Sequence, residues 1–412
     1  MCDNQTTMHN DNIPANTLDF VRQAQQRILP QAVALRHHLH QYPELSGQEV
    51  QTAAHVAACL APLNLTSLQT NFGGHGIVAT LEGALPGPTV ALRADMDALP
   101  IREQSDWPYK SRTDGLMHAC GHDGHTACLW GAAAVLAALR EHIRGTIKLI
   151  FQPAEETVGG AETLCAQGVM DSVQAIFALH GWPGLAVGQI GIRPGPMMAS
   201  ADRFDITLRG RGGHAAYPHL GVDPIVAGAQ LVQALQTVAS REVSPLEPVV
   251  VTVAQFNAGT AFNVIPGEAR LAGTVRCLSS AVRDAMPGIV ERIVAGICAA
   301  ARCEHDFSYS PGPPVVVNDP ALTAFVEGVG RDVLGPANVL RLDTPTMGAE
   351  DFAYYLERAP GTFLRLGVGE DVSPLHTSTY NFSDAALPHG IEMLAMLALG
   401  CGARNFSRAA VS

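Results

Sequence analysis

The chain has 412 residues, 47% of them hydrophobic and 16% charged, with a formal net charge of −12 at pH 7. That length gives room for two globular domains, and the acidic balance excludes nucleic acid or an anionic membrane surface as the main partner. Nine cysteines, an odd number, are scattered without a disulfide framework, as expected of a chain kept in the reducing cytoplasm.

Residues 1–17 are polar and lack the basic start and apolar stretch of a signal peptide; a disordered tail is expected there. Helical periodicity runs over 18–40 and 48–60, and short β-rich pieces follow at 76–81 and 89–94. The longest apolar run, 127–139, is too short to span a bilayer and belongs to a helix predicted over 125–142. The apolar runs 147–151 and 175–179 read as strands buried on both faces. Strands alternating with helices predict an α/β domain with a mixed, largely parallel sheet flanked by helices.

The pattern changes after Arg193. Strand-like alternation at 203–208 precedes a helix at 223–239, and two strands follow at 248–256 and 268–277. A helix at 280–301 and a strand at 303–309 complete the order β-α-β-β-α-β of a ferredoxin-like unit. Gly/Pro joints at 193–196 and 311–314 bound it as plausible hinges. Beyond Val315, helices are expected near 319–333, 349–357 and 384–398, with a strand at 362–366. The expected organisation is one domain in two parts, 18–193 and 313–412, interrupted by a smaller α+β domain over 194–312.

Chemistry concentrates in His118-Ala-Cys-Gly-His-Asp-Gly-His125, where Cys120 and His122 sit two residues apart, a metal-ligand arrangement. Asp95 and Asp97 follow one predicted strand, Glu155 and Glu156 another, and His180 a third. Sites in open α/β sheets form at the carboxyl ends of strands, so these signals fall at one edge. Each has an ordinary structural reading as well: an acidic turn, a core histidine, a capping aspartate, a buried thiol. Their joint occurrence favours a site. Cysteine, histidine and glutamate make a mixed S/N/O set suited to zinc, cobalt, nickel or manganese. Two adjacent carboxylates can divide labour, one binding metal and the other acting as general base. A further histidine is needed late in the chain; His376, in a polar loop before the last helix, is the candidate, although composition alone does not single it out.

Several segments carry a family resemblance: 35–40 with Pro43-Glu44, 93–100, 118–125, 151–156, 212–215 with Pro218, 263–266, 273–276, 348–352, and His376 with Tyr380. In order and over almost the whole chain, they resemble the aminoacylase/carboxypeptidase superfamily of metal-dependent amidohydrolases, in the branch of hippurate hydrolases and indole-acetyl-amino-acid hydrolases. The resemblance implies two divalent metal ions (Zn, Mn, Co or Ni) held by Cys120, His122, Glu156, His180 and His376, with Glu155 as general base. It implies that Asp97 orients the ligands, and that the inserted domain is a lid and dimerisation domain forming a homodimer or higher oligomer. It further implies that His214 stabilises the oxyanion, reaching a partner's active site, and that Asn263 and Arg276 bind the substrate carboxylate. Many relatives carry a histidine ligand where this chain has Asp95, and a bridging aspartate at the Cys120/His122 motif; both departures are typical of the branch. The implied activity is hydrolysis of the amide bond of N-acyl amino acids. A carboxypeptidase or dipeptidase, or a catalytically silent binding protein, is the alternative, and the intact residue set argues against silence.

Overall fold

The structure is a computed structural model and describes residues 16–157 and 159–403. Of the expected tail, residues 1–15 lie outside the described residues, whereas Thr17 is buried and opens the first helix. The chain forms two compact units. One takes residues up to Gly195, Val317–Asp343 and those from Tyr354 onward; the other takes Pro196–Val316 and Thr344–Ala353.

The first unit opens with α1 (Thr17–Gln41), α2 (Val50–Leu60), β1 (Ser67–Phe72), β2 (Gly76–Glu82) and β3 (Leu85–Asp95). Then come α3 (His122–Ala138), β4 (Arg144–Gln152), α4 (Gly160–Ala166), β5 (Val173–Pro183) and β6 (Ile190–Ile192). After β7 (Gly195–Met198) the second unit supplies β8 (Asp202–Arg209), β9 (Gly213–His214), α5 (Pro224–Leu235) and β10 (Val249–Ala258). It continues with β11 (Val264–Ile265), β12 (Glu268–Cys277), α6 (Ser280–Ala301) and β13 (Glu304–Ser310). The remaining elements are β14 (Val316–Asn318), α7 (Pro320–Leu334), β15 (Val339–Arg341), α8 (Ala353–Leu356), β16 (Gly361–Gly369) and α9 (Leu387–Gly402).

The first unit is built on an eight-stranded sheet in the order β1-β2-β4-β3-β5-β16-β6-β15. Its centre, β4, β3, β5 and β16, is parallel, while β2 meets β4 and β6 meets β16 antiparallel. These central strands read as continuous apolar runs because helices cover them; α3 and α9 both pack against β3, β4 and β5. β6 and β15 have three residues each, too short for a periodicity in the sequence to reveal them.

α3 is buried from His122 to Leu136; beyond its polar first turn it is apolar all round, as a buried helix requires. It starts three residues before the expected His125. Gly121 adopts φ +93, and its carbonyl accepts the N–H groups of Gly124 and His125 at 2.9 and 3.0 Å, which draws His122 and Asp123 into the first turn. At the other end, Arg140–His142 is a single 3₁₀ turn. By length and composition Asp384–Gly402 is apolar enough to cross a bilayer, but 83% of its apolar window is buried in the fold, the condition of a core helix.

The second unit is a four-stranded antiparallel sheet, β10-β12-β8-β13, with α5 and α6 packed on it. Alternate residues Phe204, Ile206 and Leu208 of β8 point into a core shared with Leu231 and Leu235 of α5 and Val290 and Val294 of α6. Asp223 and Ser279 cap the two helices with side-chain oxygens. One segment departs from expectation. Thr344–Ala353, placed by its sequence with the first domain, belongs to this unit, because Ala199 N–H lies within hydrogen-bonding distance of both Thr346 O (3.1 Å) and Gly348 O (2.9 Å). The helix expected over 349–357 shortens to α8, since the Glu350 carboxylate accepts the Phe352 N–H at 3.0 Å and competes with helical pairing.

Candidate metal centre

Parallel register brings the chemistry to one edge of the first unit's sheet. Asp95, the last residue of β3, lies beside Gln152, the last of β4, and Arg93 lies beside Ala178 of β5. The loop after β4 therefore delivers Glu155 and Glu156 to the edge where β5 presents His180. α3 points its first turn, with His122, at the same place.

The donor atoms converge. Cys120 Sγ lies 3.4 Å from His180 Nε2, and Glu156 Oε1 lies 3.3 Å from His376 Nε2 and 3.9 Å from His122 Nε2. Two sets of donor atoms, each mutually within 4.8 Å, share the cysteine: Cys120, His122 and His180, and Cys120, Glu156 and His376. A third set joins His122, Glu155 and Glu156. Cys120, His122 and His180 are buried, Glu155 and Glu156 half-buried, and His376 exposed, so the cluster has a closed floor and an open side.

The histidines are oriented as metal ligands are. His122 turns Nδ1 to Asp97 Oδ1 at 3.2 Å, and its Nε2 has no hydrogen-bond partner among the described residues. His180 turns Nδ1 to the carbonyl of Gly181 at 2.8 Å, leaving Nε2 to face Cys120. Asp97 also accepts from Ser46 Oγ at 2.6 Å and from the Glu156 N–H at 2.9 Å, so one carboxylate aligns His122 and the acidic loop together. His125 is different. Its Nε2 accepts the Gly181 N–H at 2.7 Å, so Nδ1 donates to Asp95 at 2.7 Å, and neither nitrogen is left for an ion. Asp95 in turn is gripped by Arg93 at 2.7 Å.

Charge in the cluster is high. Burial opposes protonation of His122, but Asp95 and the other acidic neighbours outweigh it and raise its pKa well above an ordinary imidazole. Burial and the neighbouring histidines push His180 the other way. Burial, then Glu156, raises the Cys120 thiol, and the Glu156 carboxylate raises His376 despite partial burial. A soft sulfur, inward-aimed imidazole nitrogens of which His122 Nε2 has no hydrogen-bond partner among the described residues, and the Glu156 carboxylate fit a divalent cation.

Two non-glycine residues bearing on the site have left-handed backbones, Ala154 at φ +55 and His376 at φ +61. Both are held. Glu49, buried at the amino end of α2, accepts the Ala154 N–H at 2.8 Å, and His376 N–H donates to Ala119 O at 2.8 Å. Nothing in the sequence around Ser46 and Glu49 marks these two roles.

Of the residues expected on the inserted domain, His214 and Asn263 come together: β9 pairs with β11 so that His214 faces Val264, and Ala215 N–H donates to Asn263 O at 3.1 Å. Both are exposed. Arg276 is half-buried near the other end of β12 from Glu268, roughly 25 Å away at about 3.3 Å per residue, and Glu268 faces Arg209, which precedes the His214 hairpin.

Inward-facing sulfur, imidazole and carboxylate donors beside an acidic pair, at the carboxyl edge of a largely parallel sheet, define a metal-dependent hydrolase. The model of peptidase family M20/M25/M40 matches residues 91–400, and the chain belongs to that family. It is 46% identical over 303 residues to an N-acyl-L-amino acid amidohydrolase of Geobacillus stearothermophilus, covering 73% of this chain and 82% of that protein. It is 40% identical over 374 residues to an IAA-amino acid hydrolase ILR1-like protein of Arabidopsis thaliana, covering 89% and 84%. A crystal structure from Bacillus subtilis, described as a dinuclear metal-binding peptidase of the M20 family, matches with a TM-score of 0.80 at 35% identity, covering 91% of this chain and 98% of that one.

Proposed function

We propose that the protein hydrolyses the amide bond of N-acyl amino acids in the cytoplasm, with two divalent ions held by Cys120, His122, Glu156, His180 and His376. The observation that carries this reading is the pair of donor sets sharing Cys120 beside Glu155. Cys120 belongs to both donor sets, so either ion would draw on it. When bound, the ions supply Lewis acidity towards the amide carbonyl and make water easier to deprotonate.

The chain's own residues do the rest. Glu155 takes the proton from the attacking water and hands it to the departing nitrogen. Glu156 and the imidazoles hold the donor geometry, and Asp97 fixes His122 and the acidic loop. His214 donates to the oxygen that gains charge, and Asn263 binds the substrate carboxylate. Arg276 lies too far along β12 to grip the same carboxylate as Asn263 within one copy, which supports a dimer in which His214 and Asn263 serve a partner while Arg276 serves its own subunit. β10 is the edge strand of the second unit's sheet, with Val250 and Phe256 exposed, a surface suited to pairing with a second copy.

The test is a panel of benzoyl-, acetyl-, arylacetyl- and aminoacyl-amino acids on protein reconstituted separately with Zn(II), Mn(II), Co(II) and Ni(II). Turnover of the acyl compounds above the aminoacyl ones is expected. The reverse preference assigns a dipeptidase, and no turnover with any ion sinks the proposal.

A further inference from the structure

Tyr380 follows His376 in one loop, its N–H donating to Thr377 O at 3.2 Å. The side chain is fully buried, yet the hydroxyl has no hydrogen-bond partner among the described residues. A buried phenol without a partner is costly, so its position needs a reason. Gly121 supplies the place. A Cβ on Gly121 would lie 2.7 Å from Tyr380 Oη, so the phenol occupies the space of the missing side chain, on the backbone between Cys120 and His122.

Two acceptors belong to residues within two positions of Gly121, and neither is hydrogen-bonded to the hydroxyl in the structure as it stands. One is Asp123 Oδ1, which also lacks a partner, while Oδ2 of the same carboxylate already receives Arg36 and His40. The other is the Cys120 sulfur, a poor acceptor as a thiol and a strong one as a thiolate. A phenol ordinarily keeps its proton at neutral pH and so is a donor here.

We infer that the Tyr380 hydroxyl is a positioning group that donates to the Cys120 sulfur once that sulfur is a metal-bound thiolate, and so tempers how strongly the sulfur gives electrons to the ion. This rests on the reading of Cys120 as a ligand. Hydrogen bonds to groups that ligate a metal orient them and tune their donor strength. The unpaired hydroxyl is then the cost of a partner that becomes a good acceptor only when the ion arrives.

The experiment uses the Co(II)-loaded protein, whose sulfur-to-cobalt charge-transfer band reports the thiolate directly. Wild type should show the band and Cys120→Ser should lose it; a wild type without it refutes the ligand reading itself. Tyr380→Phe removes only the hydroxyl and keeps the ring against Gly121. It should keep the band but move it to longer wavelength, and loosen Co(II) on the order of 10-fold in competition with a chelator. Tyr380→Met, equally without a donor, gives the same shift by a second route should the phenylalanine variant misfold. A Tyr380→Phe band at the wild-type wavelength overturns the inference and assigns the hydroxyl to Asp123.

Discussion

Arg36 Nε lies 3.0 Å from Asp123 Oδ2, with both side chains wholly excluded from solvent. The same guanidinium reaches Asp384 Oδ1 at 2.6 Å and Asn381 Oδ1 at 2.5 Å. Asp123 follows His122 in the first turn of α3, and Asn381 lies just past the His376 loop. One cation thus ties two parts of the donor cluster together. Burial opposes ionisation of Asp123, but Arg36 and then His40 overcome it and hold the carboxyl well below its usual range. Arg36→Met leaves that carboxylate buried without its main partner, a loss of about 3–5 kcal/mol. Urea unfolding should show that loss, and the variant should release metal to a chelator faster than wild type. The double variant Arg36→Met/Asp123→Leu should recover part of the stability but not the metal retention. A single variant within about 1 kcal/mol of wild type, the scale of an exposed pair, refutes this account.

The sequence makes some of this centre plain and hides the rest, for physical reasons. Cys120 and His122 are readable because their spacing has few other uses, His180 because it directly follows an apolar run that reads as a buried strand, and Glu155-Glu156 because they lie just beyond another. His376 is not readable from composition. Its place depends on a hydrogen bond to Ala119, far away in the chain, and on a left-handed backbone that its residue type does not advertise. Arg36 is hidden for the opposite reason: a charged residue within a helical pattern looks solvated, and only the convergence of Asp123, Asp384 and Asn381 makes its burial affordable. Thr344–Ala353 is similar, since backbone bonds to Ala199, which no side-chain pattern encodes, decide which unit it joins.

Gly121→Ala should damage the centre without touching a ligand. The residue has φ +93, where a side chain costs about 1–3 kcal/mol, and its Cβ would meet Tyr380 Oη at 2.7 Å. Either the α3 start or the Tyr380 ring must shift, and Cys120 and His122 flank that point. The expected result is lower thermal stability and at least about 10-fold weaker metal retention in chelator competition. Wild-type retention would show that the glycine serves only the helix start.

Glu155→Gln keeps the shape of the acidic loop but removes the proposed base. Turnover should fall by about 10²–10⁴-fold, while metal content by elemental analysis stays at the wild-type level. If His214 acts on a partner's substrate, mixing Glu155→Gln with His214→Ala subunits should restore activity in the heterodimers, because one of the two sites then has both groups. Purified heterodimers as inactive as the parents would confine His214 to its own subunit.

His118 gives the fold a dependence on pH whose sign can be worked out. The ring is buried, neither nitrogen has a hydrogen-bond partner among the described residues, and burial, only partly offset by Asp123, lowers its pKa from 6.5 to about 4. The unfolded chain therefore binds a proton below about pH 6.5 that the folded chain refuses until about pH 4. The contribution to stability is complete above the unfolded value and is lost as pH falls through this window, at most about 3 kcal/mol. Urea unfolding of chelator-treated protein at pH 7 and 4.5 isolates the effect from metal release. His118→Leu has no proton to bind and leaves no polar atom unpaired, so its loss of stability between the two pH values should be smaller than wild type's by about 2–3 kcal/mol. His125 and His180, also buried with lowered pKa values, remain in both proteins and cancel in the comparison. Equal losses in the two proteins would mean that His118 is protonated in the folded state at pH 4.5, with Asp123 outweighing burial.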